Sequence, residues 1–294
     1  MTVTWSDPGV AAWAASSRTI LVDGEEVALW DVAAAEDERF EPLLIVHGFP
    51  TSSYDWAHLV PRLARCRRVV LFDMLGFGLS AKPDRAYTIA LQADIAQAVV
   101  ASLGIERLAL MTHDVGDTVG GELLARSLEG TWPVEITRRV VTNGSIYIAI
   151  AQLTDGQQML LAQPDARLPQ GIGPELMAAS LVATLAPGHH DVDMTGHAEL
   201  VCHAGGDTLL PRIIRYIEER RANERRFTGA IEAHPSPLHI VWGPEDPIAV
   251  KEMADRLQAA HPGSTRVWLP GAGHYPMVED PDAFLAAVVP FLEG

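Results

Sequence analysis

The sequence predicts an α/β fold in which a mostly parallel sheet is flanked by helices and interrupted by an inserted helical cap. Short, unbroken apolar runs such as Leu43 to Val46 have the look of parallel strands buried on both faces. These runs alternate with segments of helical periodicity, the rhythm of a parallel sheet with right-handed crossovers. That rhythm fails over one long stretch, from about residue 144 to 231, where no strand is legible.

The elements follow in order. Arg18 to Val22 and Glu26 to Asp31 flank Asp23-Gly24, a turn dipeptide, and read as a hairpin of edge strands. Leu43 to Val46 and Arg68 to Phe72 are core strands. Tyr87 to Leu103 is a helix, Arg107 to Thr112 a strand, Thr118 to Leu128 a helix and Arg138 to Thr142 a strand. After the helical stretch the alternation resumes with strand Leu238 to Trp242, helix Val250 to Ala260, strand Thr265 to Leu269 and helix Asp282 to Leu292. The core is therefore expected over residues 1–143 and 232–294, with the cap at 144–231. A length of 294 residues suits one α/β domain with such an insertion.

Composition narrows the partners. Hydrophobic residues make up 48% and charged ones 20%, far from the signature of a disordered chain. The 22 Lys and Arg against 38 Asp and Glu leave a formal charge of −16, which repels phosphate backbones and anionic lipid, so neither nucleic acid nor membrane is an expected partner. No run approaches the ~20 apolar residues of a membrane span, and the first residues lack a cationic start followed by an apolar stretch, so a cytoplasmic protein is expected. Cys66 and Cys202, the only cysteines, read as core thiols rather than a disulfide framework.

Chemistry enters at Thr112-His113-Asp114-Val115-Gly116, a strand end running into a helix. A nucleophile elbow occupies that position, a tight turn that holds one side chain exposed above the sheet and needs small neighbours. Gly116 meets the demand, while Thr112 is larger than the usual glycine. Asp246, in Trp242-Gly243-Pro244-Glu245-Asp246-Pro247, and His274, in Gly271-Ala272-Gly273-His274-Tyr275-Pro276, each follow a late strand. Nucleophile, acid, histidine is the chain order of α/β-hydrolases, and loops at the carboxyl ends of parallel strands converge at one edge. His47-Gly48-Phe49-Pro50 follows an early strand, where such enzymes keep one oxyanion donor, so the Phe49 and Val115 amides are the expected oxyanion hole. His47 reads as structural, Asp73 as a loop organiser and Asp117 as a charge favouring the helix N-terminus.

The segments HGFPTSSYDW (47–56), DMLGFGLSAKP (73–83), HDVGD (113–117), TNGSIY (142–147), WGPEDP (242–247) and GHYPMVEDP (273–281) resemble the epoxide hydrolase and haloalkane dehalogenase branch of the α/β-hydrolases, and among these the mesoderm-specific transcript-like proteins most. The resemblance spans nearly the whole chain. It implies Asp114 as nucleophile, an ester between Asp114 and substrate, and hydrolysis of that ester by water that His274, held by Asp246, activates. It also implies proton-donating cap tyrosines for an epoxide. Tyr216 matches the later position, and Tyr147, at the start of the cap, is the candidate for the other, since 149–168 holds no tyrosine.

Haloalkane dehalogenases of this branch stabilise halide with Trp or Asn side chains where this chain has Phe49 and Val115, which carry no side-chain donor. Fluoroacetate dehalogenases carry an Arg after the nucleophile, and Val115 cannot replace it. The expectation is an ether-bond hydrolase opening a small to medium apolar epoxide to a diol. It would need no metal or organic cofactor and act as a monomer or homodimer. A haloalkane dehalogenase, a carboxylic ester or lactone hydrolase and a non-enzymatic ligand-binding protein remain the alternatives. His189, His190, His197, Cys202 and His203 have the residue types of a metal site but no recognised ligand spacing, and read as a solvated cap loop.

Overall fold

The computed structural model describes residues 4–294. Helix α1 (Pro8–Ser16) leads into β1 (Arg18–Val22) and β2 (Glu25–Val32), antiparallel across Asp23 and Gly24. Both turn residues have positive φ, 51° and 85°, which matches the twist of a tight hairpin and explains the Asp-Gly pair. The sheet continues with β3 (Leu43–Val46), β4 (Val69–Phe72), β5 (Arg107–His113), β6 (Glu135–Thr142), β7 (Leu238–Trp242) and β8 (Thr265–Trp268), in the order β1-β2-β4-β3-β5-β6-β7-β8. From β4 to β8 every pairing is parallel. Only β1 is an edge strand of the expected hairpin, because β2 pairs with β4 on its other side.

Helices α2 (Val60–Leu63), α3 (Ile89–Ser102) and α4 (Val115–Leu128) fall in the first half of the core. After the insertion come α10 (Glu252–Ala260), α11 (Pro276–Glu279) and α12 (Pro281–Glu293). Strands β3, β4 and β7 are buried along their whole length, so both faces of the central sheet are covered and each Val, Leu or Ile contributes about 1.5–3 kcal/mol on burial.

Between β6 and β7 the described elements are all helical: α5 (Asp155–Ala162), α6 (Pro174–Val182), α7 (Thr195–Cys202), α8 (Leu210–Ile213) and α9 (Tyr216–Ala233), with short 3-10 turns. Helix α9 does two jobs. Its start buries Tyr216, Ile217 and Arg220, a break in helical geometry falls at Asn223, and its second half packs Phe227 and Ile231 along α4. The chain thus returns to the core within a helix rather than in a loop. No described helix is long and apolar enough to cross a membrane.

Register places the chemistry. Val46 pairs with Thr112 and His113 with Thr142, so the residues just past β3, β5 and β6 leave the sheet at one level. Asp114 and Asn143 are those next residues on β5 and β6, and both have positive φ, 49° and 48°.

Candidate active site

Asp114 sits at φ 49° and ψ −116°, a conformation that costs an L-residue about 1–3 kcal/mol and is sustained by its surroundings. Helix α4 begins at Val115, directly after it, rather than at Thr118 as the sequence pattern suggested. The sharp turn leaves no loop between strand and helix. A Cβ on Gly116 would stand 2.6 Å from His47 O and closer still to Val46 O, so glycine alone lets α4 pass this close to β3. The larger Thr112 fits because Gly120 faces its methyl, where a Cβ would come within 2.9 Å, and because its hydroxyl donates to Asp117.

The Phe49 N–H donates to Asp114 Oδ2 at 2.9 Å. His47 holds that loop. Its Nε2 accepts the Met74 N–H at 3.0 Å, which leaves Nδ1 to donate to Gly48 O at 2.9 Å. Asp73 gathers the neighbouring loops through Ser53 N, Ser53 Oγ and Leu79 N.

His274 Nδ1 donates to Asp246 Oδ2 at 2.8 Å, which leaves Nε2 toward the cavity that His274 lines. Burial alone would disfavour the imidazolium, but Asp246, then Asp114 and Glu279, hold its pKa up at about 9. Burial likewise opposes a charged Asp246, yet His274, Asn143 and the Ile248 N–H keep its carboxyl below the ordinary value. The other oxygen, Oδ1, accepts from Ile248 N at 2.7 Å and Ala249 N at 3.0 Å.

Three residues that sequence reasoning did not single out fix this pair. Asn143 Nδ2 donates to Asp246 Oδ2 at 2.8 Å and reaches Gly243 O and Gly273 O at 3.2 Å, while its Oδ1 accepts Gly243 N–H. Glu279 accepts the N–H groups of Gly273, Tyr275 and, from the insertion, Ala186. Buried His113 meets His274 O through Nε2 at 2.8 Å. Asn143 does stand in the TNGSIY segment, but only the register of β6 shows what it reaches.

A cavity of about 260 Å³ opens above this floor, lined by Phe49, His274 and Tyr275 below and by α5 and α6 above. Tyr216 is buried with its ring 5.6 Å from that of Phe49 and the Arg220 guanidinium over its other face, 5.0 Å from the centroid. It lines an adjoining cavity of about 90 Å³, and Gln157 borders both. Burial and then the Asp114 charge push the Tyr216 hydroxyl well above its usual pKa, so it stays protonated.

Tyr147 is elsewhere. Its hydroxyl donates to Glu232 Oε1 at 2.6 Å, the Arg256 guanidinium lies 4.2 Å from its ring centroid, and it lines neither cavity. A tyrosine that the sequence reading did not single out, Tyr275, lines the cavity instead. It is fully buried beside His274, its hydroxyl donates to Phe49 O at 3.3 Å, and burial with the Asp55 and Asp114 charges raises its pKa well above 10.

Two lesser readings also change. Asp117 does stand in the first turn of α4, but it is buried there, and burial raises its carboxyl well above the ordinary value. His197 is not solvated. It is buried with Nε2 3.6 Å from Asp55 Oδ1, and burial lowers its pKa to about 4.

The fold, the elbow and the order of the three loops describe a hydrolase of the α/β class, and comparison with known proteins agrees. Residues 43–287 match the model of the alpha/beta hydrolase family, and the chain belongs to that family. Relatives include LipZ of Mycobacterium tuberculosis, 35% identical over 263 residues covering 85% of this chain and 88% of that one. The human mesoderm-specific transcript homolog protein is 30% identical over 301 residues, covering 98% of this chain and 89% of its own. Among solved structures, a thermophilic esterase from Thermogutta terrifontis superposes with a TM-score of 0.73 at 20% identity, covering 94% of this chain and 97% of that one, a likeness of fold.

Proposed function

We propose that this protein is an epoxide hydrolase that opens an apolar epoxide to a diol, with Asp114 as nucleophile, His274 and Asp246 as the base pair, and Phe49 and Val115 as the oxyanion hole. The observation that carries the reading is the carboxylate at the elbow, which accepts the N–H of Phe49, a residue that lines one cavity with His274. A carboxylate is a poor partner for acyl transfer but a competent nucleophile toward a strained carbon–oxygen bond.

In the first step an Asp114 oxygen attacks an epoxide carbon. The carbon–oxygen bond of the ring breaks, and the leaving oxygen takes a proton from a tyrosine hydroxyl. Tyr216 and Tyr275, both packed on Phe49, replace the pair expected from sequence, in which Tyr147 stood for the second. In the second step His274 Nε2 takes a proton from water, and the hydroxide attacks the Asp114 ester carbon. The Phe49 and Val115 N–H groups stabilise the tetrahedral oxyanion. Collapse expels the diol oxygen, which takes the proton from the imidazolium, and the proton remaining on Asp114 returns to the tyrosinate. Atoms and charge balance as epoxide plus water gives diol.

Positions 49 and 115 carry no side-chain N–H for a halide, which supports an epoxide over a haloalkane. The test is intact-mass spectrometry of His274→Gln exposed separately to epoxides and haloalkanes, followed by peptide mapping. Gain of a whole epoxide mass on the Asp114 peptide is expected. Gain of an alkyl group without its halogen would turn the reading to dehalogenation, and no adduct from folded protein would end it.

A further inference from the structure

We infer that the natural substrate carries a long unbranched aliphatic chain that runs from the floor of the cavity out between α5 and α6 and over a lip formed by Met159 and Leu176. The inference rests on the epoxide reading above and specifies its substrate class, a long-chain aliphatic epoxide rather than a small one.

Among the described residues, the large apolar side chains left standing in solvent are Leu21 at 71%, Leu128 at 48%, Met159 at 66% and Leu176 at 60% exposure. Leu21 lies on the edge strand β1 and Leu128 at the end of α4, so single exposure there needs no special account. Met159 and Leu176 differ because they come from two helices and line one cavity, the cavity that reaches His274 and Tyr275. Helix α5 even buries its polar Gln157 while Met159 faces outward.

The wall between floor and lip is formed mainly by Leu160, Ile172, Met177, Leu181, Leu210 and Ile248, and apart from His274 at the floor no charged residue lines the cavity. A carboxylate or phosphate would therefore find no counter-ion on the way in, whereas methylenes find an apolar path. A small epoxide would occupy the floor and never touch Met159 or Leu176. A chain long enough to follow the wall would cover both, which gives their exposure a role.

Full burial of a methylene is worth about fourfold in an association or rate constant, and contact on a half-open lip about twofold. The test follows ester formation by intact mass in His274→Gln with the terminal epoxides of butane, octane and dodecane. It repeats the series with Met159→Ser and Leu176→Ser added, folding being checked by melting temperature. The rate constant is expected to rise through dodecane, and the added substitutions to lower the dodecane-to-butane ratio by about tenfold. Adducts that form with an unchanged ratio, or rates that fall once the chain passes octane, would overturn the inference and leave the epoxide reading standing. Absence of adduct at every length would overturn the reading itself.

Discussion

Asn143 Nδ2 lies 2.8 Å from Asp246 Oδ2, the same oxygen that accepts His274 Nδ1–H. One amide thus ties the end of β6 to the acid after β7 and, through Gly273 O, to the histidine loop after β8. Asn143→Ala removes the donor and keeps the unfavourable positive φ, whereas Asn143→Gly relieves the φ and removes the same donor. Both variants are expected to lose roughly 10–100-fold in kcat as His274 loosens. The Ala variant is also expected to melt lower, because buried acceptors lose a partner at about 1–3 kcal/mol. Recovery of wild-type kcat in the Gly variant would show that Asn143 acts only through its backbone.

The pH behaviour follows from His274. Its pKa of about 9 in the folded state lies above the ordinary 6.5, so charged His274 stabilises the fold fully below about pH 6.5, and that contribution is lost as pH rises through about 9. Asp246 works in the opposite sense. Its depressed pKa gives stability above the ordinary carboxyl value that disappears as pH falls below it. Catalysis adds a further step, because a base must be neutral and the Asp114 charge helps keep His274 protonated. In the proposed mechanism esterification of Asp114 removes that charge, so the His274 midpoint in the alkyl-enzyme is expected below that of the free enzyme. Single-turnover ester hydrolysis against pH, compared with imidazole titration by NMR, measures the difference. Equal midpoints would show that Asp114 does not influence its base.

Much of this was legible before the structure. Apolar runs located β3 and β7 to the residue, because strands buried on both faces carry no competing pattern. Helix α4 starts three residues before its sequence pattern does, since Val115, Gly116 and Asp117 are poor helix formers and only the elbow forces them into the first turn. Helix α1 went unread because its alanines and tryptophan show hardly any apolar face. The loops bearing Asp114, Asp246 and His274 stand out by chain order, Tyr216 only through the family resemblance, and Tyr275 by neither. Tyr147 and Tyr275 are equally buried and equally close to a quoted motif, and only the path of the backbone decides that one meets Glu232 and the other Phe49.

Two glycines should respond oppositely to alanine. Gly116→Ala drives a methyl into the carbonyls of Val46 and His47, backbone that cannot move without reshaping the oxyanion loop. A loss of about 2–4 kcal/mol by denaturant unfolding, together with activity, is expected. Gly229, inside α9 with ordinary φ and only Arg225 Cγ within 4 Å, at 3.9 Å, has room. Gly229→Ala should raise stability by about 0.5–1 kcal/mol through helix propensity. Equal responses would show that the close approach at the elbow is not what requires glycine there.

Three tyrosines separate proton donation from packing. A general acid contributes about 10²–10⁴-fold in rate. If the leaving oxygen is protonated by Tyr216 and Tyr275 together, each Phe variant should slow ester formation by roughly 10–100-fold, and the double variant should depart from the product of the two because both hydroxyls serve one oxygen. Attack of water on the ester and expulsion of the diol do not draw on either hydroxyl, which only takes back a proton from Asp114 afterwards, so the single-turnover rate of hydrolysis should stay within a few-fold of wild type. Tyr147→Phe should leave both steps near wild type and cost no more than about 1 kcal/mol of stability, since the half-buried Glu232 Oε1 loses a donor that water can replace. Ester formation and hydrolysis slowed alike in Tyr275→Phe would mean that this hydroxyl only anchors the Phe49 loop. Loss confined to ester formation assigns it to the departing oxygen, because anchoring the oxyanion donor serves the tetrahedral intermediate of the second step.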